Sequence, residues 1–322
     1  MQTVLLKTLQ LLCTLASGPG SKKKLFILIY HQVLEQPDFM RPWEIDKTVF
    51  SWQMALIARY FNVLPLHEAL EKMANGTLPP RAVCITFDDG YANNYTHALP
   101  ILLANKLTAT FFIASGYLDG GRMWNDTVIE SIRTLPGPRL DLTAIGLGSY
   151  DISNPVKKAQ VAVDILPRIK HLQPAARAQY AGYLASLAKK MPDDLMLTSS
   201  QVMKLYVSGM EIGGHTVTHP ILALLAPDEV RQEVADNKTT LEQLLNTKIR
   251  YFAYPNGKPG QDYSPDQVRI IKECGYQAAL STRPGVSAKG NDRWQLARFT
   301  PWDSSPARFM LRIARMYYFN RL

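Results

Sequence analysis

The stretch AVCITFDDG, residues 82–90, carries the first reading of both fold and chemistry. Apolar or β-prone residues run from Val83 to Phe87 and then meet two adjacent carboxylates and a glycine. Neighbouring acids repel, and Asp is a poor strand former. Such a strand end needs a cation beside one acid, or the pair carries chemistry.

Outward from this stretch, strand-like and helical patterns alternate. LFILIYH (25–31), TATFFIA (108–114), MEIGGH (210–215), KIRYFAY (248–254) and YQAAL (276–280) read as further strands. Helices are expected over 47–61, 96–106 (interrupted or started near Pro100), 201–209, 227–246 and 264–275, with glycine closing the third and proline opening the fourth. Strand alternating with helix means an α/β fold with a mostly parallel sheet and crossover helices. Residues 123–197 break the rhythm and read as a helical insertion with two helical patterns and no clear strand. The expected organisation is an N-terminal amphipathic helix over 1–20, a catalytic domain over 21–322 carrying that insertion, and a basic amphipathic helix over about 304–320.

With 322 residues, 47% hydrophobic and 20% charged, the chain has the composition of a globular protein. Its net charge of +9 favours anionic partners. The Lys and Arg look scattered and no nucleic-acid motif occurs, so nucleic acid is not an expected partner. Cys13, Cys84 and Cys274 form no CxxC pair, which argues against a thiolate zinc site or a disulfide framework. A reduced, cytoplasmic setting fits, as does peripheral attachment at the inner membrane face, and a periplasmic one stays open. In residues 1–17 the early charge, Lys7, lies inside the apolar run and SKKK follows it. That order favours an amphipathic helix, packed on the fold or lying on a membrane surface, over a cleaved signal. The C-terminal helix reads as packed with a solvated basic face, with an anionic membrane or glycan contact as the sharper alternative.

Six histidines are present, and two stand in EIGGHTVTHP (211–220). His215 and His219 have i, i+4 spacing, but Pro220 disfavours helix at His219. The pair therefore belongs to a tight loop, which Gly213 and Gly214 would let approach a site closely. Two imidazoles with one carboxylate and open positions suit zinc or another divalent first-row metal. In parallel α/β folds functional residues gather at the carboxyl ends of strands, where both TFDDG and the histidine loop lie. A turn at Gly90 would let one acid bind metal while the other stays free as a base.

TFDDG (86–90) and HTVTHP (215–220) resemble the first two motifs of the polysaccharide deacetylases, the family-four carbohydrate esterases. ILIYHQV (27–33) and FAYPNG (252–257) are similar to elements of the bacterial members linked to exopolysaccharides. The resemblance implies an irregular (β/α) barrel, commonly seven-stranded, that removes acetyl groups from sugars. By position it makes Asp88 the catalytic base and Asp89, His215 and His219 the metal ligands. A metal-bound water is then the nucleophile, and the Asn256 N–H donates to the oxyanion. Tyr254 in the same segment, Trp124 and Arg283 are candidate substrate contacts. The implied partner is an acetylated glycan, with Arg283 placed to meet an anionic substituent.

Two departures stand out. Many relatives carry an arginine where this chain has Ala253, and a late histidine that protonates the leaving amine; here no histidine follows His219. WQLARFTPWD (294–303) offers Arg298 instead, and arginine is a poor general acid. His31, ending the first strand, is the replacement acid on position. The missing late histidine raises the weight of O-acetyl substrates. A non-sugar amidase of the same fold and a non-catalytic carbohydrate-binding protein are the remaining alternatives.

Overall fold

The computed structural model describes residues 2–303 and 305–319. Seven strands run parallel: β1 Lys24–Tyr30, β2 Ala82–Phe87, β3 Thr110–Ile113, β4 Glu211–Gly214, β5 Tyr251–Ala253, β6 Ala278–Pro284 and β7 Leu296–Arg298. They lie side by side in chain order. The sheet nearly closes because the residue after β7 pairs with β1: the Ile29 N–H donates to the Phe299 carbonyl at 3.0 Å, and the Phe299 N–H to the Ile27 carbonyl at 2.9 Å. Ser287–Ala288 adds an eighth strand, antiparallel to β1, and Asn62–Val63 flanks the start of β2. The architecture is the barrel-shaped α/β fold expected from the alternation.

β1 and β2 are buried along nearly their whole length, as strands covered on both faces must be. Period-2 alternation still sorts their side chains. Leu25 and Ile27 join Cys84, Phe112, Leu280 and Leu296 in one core, whereas Phe26, Leu28 and Tyr30 pack outward under the helices. The β1–β2 register runs from Leu25 opposite Ala82 to Tyr30 opposite Phe87, so the two strands end level with each other.

Around the barrel lie α1 Gln2–Ala16, α2 Lys47–Tyr60, α3 Leu66–Asn75, α4 Leu99–Ala104, α5 Trp124–Thr134, α6 Pro155–Lys170, α7 Pro174–Leu187, α8 Ser199–Val207, α9 Pro227–Leu245, α10 Pro265–Glu273 and α11 Pro306–Phe319. A π-helical turn, Asn94–Ala98, leads into α4, so the helix expected over 96–106 is broken where Pro100 enters it. The insertion departs from the two helices expected. It holds three, α5 to α7, and an antiparallel hairpin pairing Arg139–Leu142 with Gly148–Asp151. The hairpin escapes a sequence reading because each strand has four residues and the first buries only Leu140 and Leu142. The insertion has its own core, built on Val128, Ile132, Leu140, Ile165 and Leu184.

Candidate active site

Five of the seven strands deliver a polar group at their carboxyl ends. His31 follows β1, Asp88 and Asp89 follow β2, His215 follows β4, Asn256 lies beyond β5, and Arg298 ends β7. Of these, all but Arg298 line a cavity of about 720 Å³, as does His219.

The bend after β2 begins at Asp89 itself. Asp88 still donates its N–H to the Tyr30 carbonyl at 2.9 Å, as a strand residue would. Asp89 has φ 77° and Gly90 φ 89°, and that left-handed turn carries both acids into the cavity. Thr216 (φ 66°), His219 (φ 53°) and Asn256 (φ 59°) share this backbone region. Non-glycine residues adopt it at a cost of about 1–3 kcal/mol each, and such residues cluster at functional sites.

Asp89 is the hub. Its Oδ1 lies 3.2 Å from His215 Nε2 and 3.3 Å from His219 Nε2, and the three candidate ligand atoms fall within 4.8 Å of one another. His215 Nδ1 sits 2.7 Å from the Ala253 carbonyl, which can only accept, so Nδ1 carries the proton. In a neutral ring, Nε2 then presents a lone pair to a carboxylate oxygen. Two acceptors at that separation require a proton or a cation between them. The electrostatics agree. Burial works against charge on His215, but Asp88 and Asp89 outweigh it and raise its pKa. Burial drives His219 down to about 3 against the pull of Asp89, leaving a neutral imidazole with a free lone pair. Burial opposes ionisation of Asp89 too, yet the surrounding histidines hold its carboxyl below the ordinary carboxylate range. The donor set fits a divalent first-row cation such as zinc.

Asp88 is held apart from this trio. Its Oδ1 and Oδ2 each accept from Arg298, at 2.7 Å from Nη1 and Nη2. The guanidinium is fully buried, and its Nε donates to the Ser281 carbonyl at 2.9 Å. Burial would raise the Asp88 pKa, but Arg298 and then His215 bring it below the ordinary value. Asp88 Oδ2 stays 4.0 Å from His215 Nε2. One carboxylate is thus embedded among imidazoles, and its neighbour is clamped as a free, ionised group.

Gly213 and Gly214 serve packing rather than loop flexibility. Both lie within β4, and a Cβ on Gly213 would come 2.4 Å from the Phe112 ring, one on Gly214 2.1 Å from the Tyr276 hydroxyl. The histidine loop is instead held by α9. Buried Asn237 accepts from the His215 N–H at 3.1 Å and donates to the carbonyls of Ile113 (3.0 Å) and Thr216 (2.6 Å). Glu233, one turn earlier, accepts from the N–H groups of Val217 and Thr218 at 2.8 Å each. Sequence reasoning missed both. The signal for Asn237 was present: it interrupts the buried stripe Val230, Val234, Leu241, Leu245 at a helical position where an apolar residue belongs.

The substrate-contact candidates separate. Trp124 opens α5 and lines the cavity, with the Arg177 guanidinium 5.0 Å from its ring centroid. Tyr254 does not line it. It is buried, stacked on Tyr263 at 3.7 Å, and its hydroxyl donates to the Trp294 carbonyl at 3.0 Å. Alternation puts Tyr254 on the side of Phe252, in the core under the helices, and the left-handed turn at Asn256 brings the chain back to the cavity. Arg283 is exposed on β6, outside the cavity lining, although Thr282 next to it is part of the wall. His31 shares the cavity with Glu44, whose carboxyl is raised by burial and partly restored by His31. The Asn256 N–H has no partner among the described residues.

Comparison with known proteins agrees with this fold. Residues 75–279 match the family model described as polysaccharide deacetylase. YxkH of Bacillus subtilis (strain 168), named as a polysaccharide deacetylase, is 21% identical over 276 residues, covering 85% of this chain and 70% of its own. The Streptococcus pyogenes deacetylase PplD, solved in complex with acetate, superposes with TM-score 0.62 at 20% identity, over 91% of this chain and 99% of its own. IcaB from Ammonifex degensii gives TM-score 0.59 at 21% identity, over 94% and 98%. With a family model spanning most of the barrel and the strand-end acids and histidines inside the matched segment, this chain belongs to the polysaccharide deacetylase family and is a deacetylase hydrolase.

Proposed function

We propose that the protein hydrolyses acetyl groups, N-acetyl before O-acetyl, from a poly- or oligosaccharide, with a divalent cation held by Asp89, His215 and His219. The observation that supports this most is the division of labour between adjacent acids: Asp89 faces two imidazoles while Arg298 holds Asp88 aside. A cation bound at the trio, zinc first by donor type, would acidify water and polarise an acyl oxygen. Asp88, ionised and fixed by two hydrogen bonds, is placed to take the proton from the attacking water. Asn256 lines the cavity with the same acids, in a left-handed turn whose N–H is uncommitted among the described residues, so it is the candidate oxyanion donor. His31 is the acid for the leaving group, at the end of the first strand in the same cavity as Asp88.

The cavity wall from the insertion fits a sugar. Trp124 offers an aromatic face. Lys170 at the end of α6 also lines the cavity, in no ion pair among the described residues, its pKa lowered by burial. An anionic substituent on the glycan would relieve that unpaired charge.

O-acetyl hydrolysis is the second reading, because no histidine follows His219 and an alcohol leaves with less need of a proton than an amine. Acetate release from a panel of N-acetylated and O-acetylated oligosaccharides, with and without chelator, tests both. Chelator-sensitive release from N-acetyl sugars is expected; release from O-acetyl sugars alone supports the second reading, and binding without turnover defeats both. His215→Ala is expected to lose bound zinc by elemental analysis. A His31→Ala variant with an unchanged pH–rate profile would remove His31 as the acid.

A further inference from the structure

The chain's basic character is not spread over its surface. Residues 1–34 contain four lysines and no acid, and residues 304–322 contain four arginines and no acid. Together they carry +8 of the formal +9, so the rest of the chain is nearly neutral. The fold brings these two ends together. α1 packs on α11 through Leu9 and Cys13, and the Cys13 thiol lies 3.8 Å from the Met310 carbonyl. The lysine turn after α1 joins the far end of α11, where Lys24 donates to the Tyr317 carbonyl.

The other side of α1 is apolar and exposed. Val4, Leu11 and Leu15, at 69%, 59% and 69% exposure, fall on one stripe at spacings of seven and four, with Leu5 and Leu12 beside them. Tyr318 and Phe319, 72% and 57% exposed, extend the apolar surface at the end of α11. A helix apolar on both faces is normally covered on both. Here one face meets the barrel's own helix and the other is exposed, uncovered by the described residues. Lys7, Lys22, Arg308 and Arg315 stand exposed on the same two segments, with no acid among them.

We infer that the paired α1 and α11 form a membrane-docking face that lies in the interface of an anionic bilayer. An apolar stripe whose charged neighbours on α1 and the turn after it are all cations matches an acyl layer beneath acidic headgroups, and helices of this kind lie in the interface plane. The 15 residues of α1 span about 22 Å, short of the ~30 Å hydrocarbon core, and no described helix is long and apolar enough to cross a membrane. Its contact with α11 also keeps α1 against the surface of the fold.

Flotation of the full chain with vesicles tests this independently of catalysis. Vesicles of phosphatidylcholine mixed with phosphatidylglycerol are expected to carry the protein, and pure phosphatidylcholine to carry far less. Leu11→Ser with Leu15→Ser should lower partitioning by about tenfold or more while leaving the melting transition in place. Lys22→Gln with Lys23→Gln should lower it by about fivefold per lysine, and added salt should do the same to the wild type. Equal flotation with both vesicle types, none with either, or variants that bind like wild type would overturn the inference. So would a concentration-dependent dimer that the leucine variants convert to monomer, since a second copy would then be what covers the face.

Discussion

The strand-end site and the α1–α11 face handle charge in opposite ways. In the site the strand-end acids and His215 each have a partner placed by the fold: Arg298 on Asp88, two imidazoles on Asp89, the Ala253 carbonyl on His215. On the terminal face, Lys7, Lys22 and Arg315 stand among exposed leucines in no ion pair among the described residues, and Arg312 of the same helix reaches one acid, Asp303, at 3.4 Å. The first arrangement fixes atoms for chemistry and fails when one partner is removed. The second tolerates change within the molecule, since its energy is realised only against something outside it.

The sharpest break of this contrast is Asp88→Asn. It keeps one of the two hydrogen bonds from Arg298, through Oδ1, but removes the proton acceptor, and kcat should fall about 10²–10⁴-fold with zinc content unchanged. Near-normal kcat would show that Asp88 is not the base. Arg298→Met comes next. It leaves a fully buried carboxylate unpaired and should cost about 3–5 kcal/mol in denaturant unfolding at neutral pH. The sign with pH follows from the direction of the shift. In the wild type the Asp88 pKa is depressed, so its contribution is present above the unfolded carboxylate value and fades as pH falls. In the variant burial raises that pKa, so the deficit should shrink on acidification as the carboxyl protonates. A deficit constant from neutral to acid pH would mean that the pair contributes through packing alone.

Asn237→Ala should have a smaller effect, about 1–3 kcal/mol, because it strands the His215 N–H and the Ile113 and Thr216 carbonyls. It should also weaken zinc affinity by about 10–100-fold through the orientation of the His215 loop, read by competition with a chelating dye. Wild-type zinc affinity would reduce Asn237 to a packing role. At the small end, Leu15→Ser alone should change unfolding stability by no more than about 0.5 kcal/mol. A large loss would mean that this face is covered in the folded protein and would erase the contrast.

The strands and the four central site residues were legible because they depend on local pattern. An apolar run closed by TFDDG must end where the chain leaves the sheet, and the HxxxH loop follows its own apolar segment. Arg298 was visible as a residue but not as the Asp88 partner. The two are 210 positions apart and meet only because the end of β7 returns to the start of the barrel. Tyr254 was misplaced for a similar reason: FAYPNG does not reveal which side of the sheet its tyrosine takes, and Tyr263 and the Trp294 carbonyl claim it. The insertion hairpin left too short an alternation to read.

The order of strands and helices, the paired acids, the histidine spacing and the acid-free ends are properties of the sequence alone, since each needs only neighbouring residues and their periodicity. Closure of the barrel decided the rest. It set which acid meets the imidazoles and which meets Arg298, turned Tyr254 away from the cavity, and joined two basic termini into one face. Those outcomes depend on contacts between residues up to 297 positions apart, whose energies no local pattern encodes.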